Sequence, residues 1–316
     1  MKDFFAAVCL ALFLPASSPA VVLRDGQVVM GTVFEATVEA DSPETARRAL
    51  REAVEEVRRW DRVLTTFRPS GELARLNARA GAGWTPASRA LEEALRSALS
   101  FWAETGGIFD VAATETAEPV ALPSLLRIRP GEVLLRTGAR LDFGGMGKGL
   151  ALDAAARRVR ASGIESALLD LGTSTILAVG SRDWLVAVSG EEEGSLLGCV
   201  RLRGEALSVS RSGPGSAIVD PRSGRRVEER RRAVVLARQA VAADVWSTAL
   251  VILGREGLAR ARRAGVRAWI ADSEGNAGTD SFAGFRACAG PSGRSGAPGG
   301  RKAHAERKDE PAGTRR

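Results

Sequence analysis

Histidine is almost missing from this 316-residue chain, and the one present, His304, sits in a C-terminal stretch nearly free of apolar residues. An imidazole in a folded site is thereby excluded, and with it Ser-His-Asp catalysis, Cys-His catalysis and His-ligated zinc. Cysteine is scarce too, at three residues. Cys9 lies in the first apolar run, which leaves Cys199 and Cys288 for the folded chain. One disulfide is open to them in an oxidising compartment, but nothing in the spacing calls for it. The favoured expectation is one buried strand cysteine and one near the tail. The apolar run Phe4 to Leu14 is too short for a stable bilayer anchor. No folded face interleaves Lys/Arg with aromatics, so a nucleic-acid partner is not expected, despite a formal charge of +7.

The N-terminal segment, residues 1–20, reads as a secretory leader: a lysine, an apolar run, then small residues ending at Ser18-Pro19-Ala20. Residues 286–316 are basic and rich in Gly, Pro and Ser, and cannot bury enough apolar surface to order themselves. Between them, residues 21–285 are expected to form the functional domain, at a length that can bury a sizeable core.

"QVVMGTVFEATVEA" alternates as a strand. "SPETARRALREAVEEVRRWDRVL" has a Ser cap, an early Pro and Leu50, Val54, Val57, Trp60 and Leu64 at helical spacing. "PASRALEEALRSALSFWAETGG" predicts a second helix, "GEVLLRTGARLDF" paired strands, and "GLALDAAARRVRASG" a helix closed by Gly163. From Ser166 onward short strands dominate. A wholly apolar helix over "AVAADVWSTALVILG", a short exposed helix and a last strand "VRAWIAD" end the pattern. The fold class expected is α+β, with mixed or antiparallel sheets, packed helices and two β-rich halves.

Three stretches carry chemistry. In "LDFGGMGKGLALD", Gly144, Gly145, Gly147 and Gly149 precede a helix whose N–H groups and Lys148 are suited to an anion. The spacing is neither a Walker loop nor a dinucleotide fingerprint, and a plain glycine turn fits equally well. In "AADVWSTAL", Asp244 and Thr248 share one face of a buried helix. A carboxylate there needs a partner, and a carboxylate with a hydroxyl suits a hard cation. The competing reading makes Asp244 a helix cap. Asp110 in "GGIFDVAAT", Asp220 in the turn "AIVDPRSGRRV" and Glu72 in "TTFRPSGELARLN" are weak candidates taken singly.

Taken in order from Met30 to Gly254, these segments resemble the FAD:protein FMN transferase (ApbE) family. Its "MGT" is Met30-Gly31-Thr32, its "SEL…N" segment is "TTFRPSGELARLN", and its "TGGAFD" is "TGGIFD". Its "DLGGIAKGYAVD" is "DFGGMGKGLALD", its "IDPRTG" is "VDPRSG", and its "ADALATAL" is "ADVWSTAL". The resemblance implies a flavin-binding cleft with FAD and a divalent cation, Mg²⁺ with Ca²⁺ as the alternative. It places Met30 and Phe67 against the flavin, and Ile108, Phe109, Asp110, Asp142, Lys148 and Val219 on the nucleotide. The metal positions implied are Gly145, through its carbonyl, with Asp244, Ser247 and Thr248.

The chemistry implied is attack by a partner protein's Ser or Thr hydroxyl on the FMN-side phosphorus of FAD. AMP leaves and FMN remains in phosphodiester linkage. The implied partner is an acceptor flavoprotein with a Ser/Thr flavinylation motif, such as a membrane or periplasmic redox subunit, and the enzyme would be exported to that side. Departures are specific. The family's histidine in "HIIDP" is Ala217, its flavin-facing tyrosine is Phe67, "VAAT" follows Phe109-Asp110 without the usual threonine, and "LGTST" replaces "LGGD". If that histidine assists proton transfer, the chain would be slower, would use a carboxylate such as Asp220 or Asp110, or would bind, deliver or hydrolyse FAD without transferring it.

Overall fold

A computed structural model of the chain describes residues 21–172, 174–190, 195–282 and 284–288. The expected leader and all but the first residues of the expected tail lie outside them. The first half contains β1 (Val21–Val29), β2 (Thr32–Ala40), α1 (Pro43–Leu64), α2 (Glu72–Ala78), β3 (Trp84–Pro86) and α3 (Arg89–Glu104). It continues through the single turn α4 (Leu122–Leu125), β4 (Leu126–Arg129), β5 (Glu132–Leu135) and α5 (Gly147–Ala161). Next come β6 (Ser166–Leu171), β7 (Thr175–Val179), β8 (Trp184–Ser189), β9 (Leu196–Leu202), β10 (Ala206–Ser212), β11 (Val219–Asp220) and β12 (Arg225–Arg226). The chain closes with β13 (Arg231–Ala237), α6 (Ala240–Leu253), α7 (Gly257–Arg263), β14 (Arg267–Asp272) and β15 (Gly275–Gly278).

The class is α+β, as expected. Both β-rich segments join one eight-stranded antiparallel sheet in the order β1-β2-β6-β7-β10-β13-β14-β15. Strand period decides which side each residue serves. Leu177 and Val179 of β7 enter the large core beneath the helices, while Ile176 and Ala178 enter a smaller core on the opposite face. Helices α1, α5 and α6 cover the first face, α1 over β1 and β2 and α6 over β10 and β13. The β8–β9 hairpin, Phe282 and Phe285 cover the second.

Helix α1 starts where its sequence says it should: Ser42 Oγ accepts the Thr45 N–H at 3.2 Å and Pro43 fills the first turn. Helix α6 is buried nearly all round and stops at Gly254, whose φ of 68° is the left-handed value glycine tolerates. No described helix is long and apolar enough to cross a membrane.

Four expectations need correction. The first "strand" is a hairpin: Val29 pairs with Thr32 across Met30 and Gly31, whose φ values of 53° and 72° are the two positive ones a two-residue turn of this kind needs. In "GEVLLRTGARLDF" only 132–135 is strand, paired with 126–129 and 84–86, and the rest runs irregularly to the glycines. "VRAWIAD" is not last, since β15 pairs back onto β14. Cys199 and Cys288 are bonded, their Cα atoms 5.1 Å apart, and a backbone bridge joins Cys199 to Arg286. Ordered chain thus passes the expected boundary at 285. Strand pairing brings together cysteines separated by 89 residues, which linear spacing could not reveal.

Candidate active site

A cleft of about 800 Å³ opens between the β1–β2 turn, the end of α1, the loop at 108–113, the glycine loop, β10 and α6. Met30, Phe67, Ile108, Phe109, Asp110, Asp142, Lys148 and Val219 all line it. So do Gly145, Asp244 and Thr248. Phe67 is 95% exposed, an aromatic face standing free at the mouth, whereas Ile108 and Phe109 are buried in the wall. Met30 is the one non-glycine at positive φ among the described residues, a conformation that costs about 1–2 kcal/mol and is held by the hairpin around it.

Asp244 lies in the interior of α6 and is 4% exposed, so it is not the cap; Gln239 holds that position. Its Oδ2 accepts the Gly149 N–H at 3.0 Å, and its Oδ1 accepts the hydroxyls of Thr175 and Ser208, each at 3.2 Å. Three neutral donors satisfy most of a carboxylate's acceptor positions without neutralising it. One turn on, Thr248 Oγ1 lies 3.4 Å from Ser210 Oγ and edges into the cleft. A methyl group built on Gly145 would stand 3.2 Å from that Thr248 oxygen and 2.9 Å from the Phe109 ring, so the loop backbone touches the helix there. Ser247 is placed differently. It is fully buried behind the lining, bonded to the Asp244 carbonyl at 2.9 Å, Ser210 at 2.7 Å and Ser208 at 3.1 Å.

The amides of the glycine loop are less available to an anion than the sequence suggests. Gly144 N–H goes to Asp142 Oδ1 at 2.6 Å, Gly147 N–H to the Phe143 carbonyl at 2.7 Å, and Gly149 N–H to Asp244. Lys148 Nζ remains at the edge, 3.5 Å from the Gly144 carbonyl. Asn77 fixes the approach to this loop, exchanging two 2.9 Å hydrogen bonds with the Leu141 backbone.

The two weak proton-acceptor candidates separate. Asp220 does not line the cleft. Partial burial pushes its carboxyl up, but the guanidinium and backbone N–H of Arg222 outweigh this and hold it below the usual range. It is an ion-paired turn residue and a poor base. Asp110 does line the cleft, and burial raises its carboxyl against the opposing N–H bonds of Leu122, Ala112 and Trp102. Those donors make it the organiser of the 108–122 turn. Ala217 also lines the cleft and offers no proton acceptor there.

Sequence reasoning missed several supports. Thr175, Ser208 and Ser210 surround Asp244 and the α6 hydroxyls; the alternating serines of "ALSVS" were the available signal. Asp153 of α5 accepts the N–H groups of Ala240 and Val241 at 2.9 and 3.0 Å, capping α6 from a neighbouring helix.

These features define a protein with a dinucleotide-sized cleft, an aromatic and a methionine at its mouth, and an oxygen-only group on its floor. The ApbE family profile matches residues 30–270, and the chain belongs to that family. It is 27% identical to the FAD:protein FMN transferase of Salmonella typhimurium strain LT2, covering 81% of this chain and 91% of that one. The Escherichia coli K12 FAD:protein FMN transferase is 24% identical, over 78% of this chain and 83% of its own. The apo crystal structure of the Pseudomonas stutzeri flavinyl transferase ApbE superposes with a TM-score of 0.73 at 23% identity, covering 83% and 96% of the two chains. That likeness establishes the fold.

Proposed function

We propose that this chain is an FAD:protein FMN transferase, moving FMN from FAD to a Ser or Thr hydroxyl of an acceptor protein with loss of AMP. The observation that carries the reading is the convergence of Gly145, Asp244, Thr248 and Lys148 on one cleft whose mouth is formed by Met30 and Phe67. In this reading the flavin lies between Met30 and Phe67, Ile108 and Phe109 wall the nucleotide, and Asp142, Lys148 and Val219 border its phosphates and sugar.

The oxygen set fits Mg²⁺. Among the described residues no three His, Cys, Asp or Glu side chains cluster, so the site would rest on one carboxylate, the Thr248 hydroxyl and the Gly145 carbonyl. Such sparse protein ligation suits a cation that also takes substrate phosphate oxygens. A bound cation would supply charge neutralisation on the diphosphate. Lys148 adds a second positive charge at the cleft, and the hydroxyls of Thr175 and Ser208 orient Asp244. Ala217 leaves the acceptor hydroxyl without a protein base at that position, so proton loss would go to water or to the phosphate itself.

The Cys199–Cys288 bond favours an oxidising compartment. Together with the leader, it supports export and a membrane or periplasmic redox protein as acceptor.

The test is mass spectrometry of a candidate acceptor incubated with mature protein, FAD and Mg²⁺. An adduct of FMN mass with equimolar AMP is expected from wild type. A drop of at least about 100-fold is expected from Asp244→Ala, in line with loss of a charge-stabilising group. Because Asp244 also holds Gly149, Thr248→Val serves as the variant with less structural burden. AMP without adduct would replace transfer by FAD hydrolysis, the second reading that Ala217 favours. Bound FAD without either product would leave a delivery protein.

A further inference from the structure

Strand β10 sends Leu207 and Val209 toward the smaller core, so Ser208 and Ser210 face the other way, onto α6. There they join the hydroxyls of Ser247 and Thr248 in one chain. Ser210 and Thr248 line the cleft, while Ser247 is fully buried behind them. The chain therefore runs from the cleft floor into the core.

Its direction follows from counting protons. A hydroxyl has one proton to give and two lone pairs to receive with. Ser247 Oγ donates to the Asp244 carbonyl at 2.9 Å, a group that can only accept. With that proton committed, Ser247 accepts from Ser210 at 2.7 Å. Ser208 turns its own proton to Asp244 Oδ1 at 3.2 Å. Ser210 is left with lone pairs alone for Thr248 Oγ1, 3.4 Å away, and among the described residues it is the one hydrogen-bond partner of that hydroxyl. The opposite run would put the Ser210 proton on Thr248 and leave the proton of Thr248 facing the cleft. A hydroxyl that holds a cation has to present a lone pair and keep its proton turned away, because like charges repel.

Resting on the transferase reading, we propose that Ser210 is a positioning residue: it accepts the Thr248 proton and so keeps a lone pair of Thr248 turned to a divalent cation on the cleft floor. Ser247 acts one step further back, fixing the proton of Ser210.

The test is a calorimetric titration of Mg²⁺ into protein saturated with FAD, without acceptor, with FAD affinity measured separately in EDTA. Ser210→Ala should weaken Mg²⁺ binding by about tenfold, the scale for removing a group that orients a metal ligand, and leave FAD affinity in EDTA unchanged. Ser210→Thr keeps the hydroxyl at a strand position suited to branched side chains and should recover most of the loss. Ser247→Ala frees the Ser210 proton and should move Mg²⁺ affinity the same way, which keeps the test open should Ser210→Ala not fold.

Unchanged Mg²⁺ affinity in Ser210→Ala overturns the proposal, and so does a loss that Ser210→Thr does not recover. An equal loss of FAD affinity in EDTA also overturns it, since Ser210 would then touch the nucleotide itself. Wild type that takes up no Mg²⁺ beside FAD removes the cation and the role together. Weakened Mg²⁺ binding in Ser210→Ala, in a protein that transfers FMN to no acceptor, upholds the positioning role and sinks the transferase reading.

Discussion

A methyl group at Gly149 would sit 2.4 Å from the Val241 Cα and 2.6 Å from the Ala240 carbonyl oxygen. Both are backbone of the first turn of α6, so neither can give way as a side chain tip could. Alanine would otherwise help α5 by about 1 kcal/mol through helix propensity. Overpacking against rigid neighbours costs about 1–3 kcal/mol and occasionally more. We expect Gly149→Ala to destabilise by about 2 kcal/mol, read as a lowered urea midpoint; an unchanged midpoint would contradict the contact. Asp153 makes the reciprocal contact. Burial pushes its carboxyl up, against the N–H groups of Val241 and Ala240 and the charges of Arg157 and Arg160. A raised folded value means that stability tied to this group is fully present below the ordinary value of about 3.9 and declines as pH rises through the folded value. Asp153→Asn has no such proton to lose. Its deficit against wild type should therefore narrow from about pH 4 to neutrality, measured as unfolding free energy at each pH. A deficit that widens over that range would refute the assignment.

At the scale of elements, the same two residues explain what the sequence hid. Helix α1 was legible from its apolar spacing, α6 from an unbroken apolar run, α5 from its glycine stop, and most strands from local β-branched patterning. The glycine loop and the α6 hydroxyls were legible as ordered segments of a family. The cap of α6 was not, because its N–H groups are met by Asp153, 87 residues away. The turn at Met30 escaped because unbroken β alternation runs through it and methionine is a poor guide to positive φ. The Cys199–Cys288 bond belongs to this class of long-range fact. It pins the 284–288 segment to β9, where Phe285 meets Trp269 edge to face at 5.0 Å and Phe282 at 5.5 Å. Disulfides typically contribute about 2–4 kcal/mol, in the chain-entropy account by restricting the unfolded chain. Cys288→Ser should lower the unfolding free energy by that amount, and the double variant with Cys199→Ser should lose little more, since both remove one bond. Additive losses, or none on treating wild type with reductant, would show the bond to be without weight in solution.

The whole molecule sets a further condition. The cleft is assembled from the β1–β2 turn, the end of α1, the 108–113 loop, β10 and α6, so a ligand there bridges both halves of the chain. Binding to the folded state alone stabilises by about 2.7 kcal/mol at a ligand concentration of 100 times Kd. FAD should accordingly raise the melting temperature. The one-carboxylate floor makes a sharper demand. In the proposed transferase a cation on this floor would share one carboxylate, Asp244, that Gly149, Thr175 and Ser208 already bond, and would draw its other oxygens from Thr248, the Gly145 carbonyl and the diphosphate. Mg²⁺ alone should then shift the melt little, FAD alone moderately, and the two together by more than their sum, with EDTA removing the excess. Thr248→Val should retain the FAD shift and lose most of the excess. A full Mg²⁺ shift without FAD would mean that the protein builds a complete metal site by itself, and a strictly additive response would remove the cation from this floor.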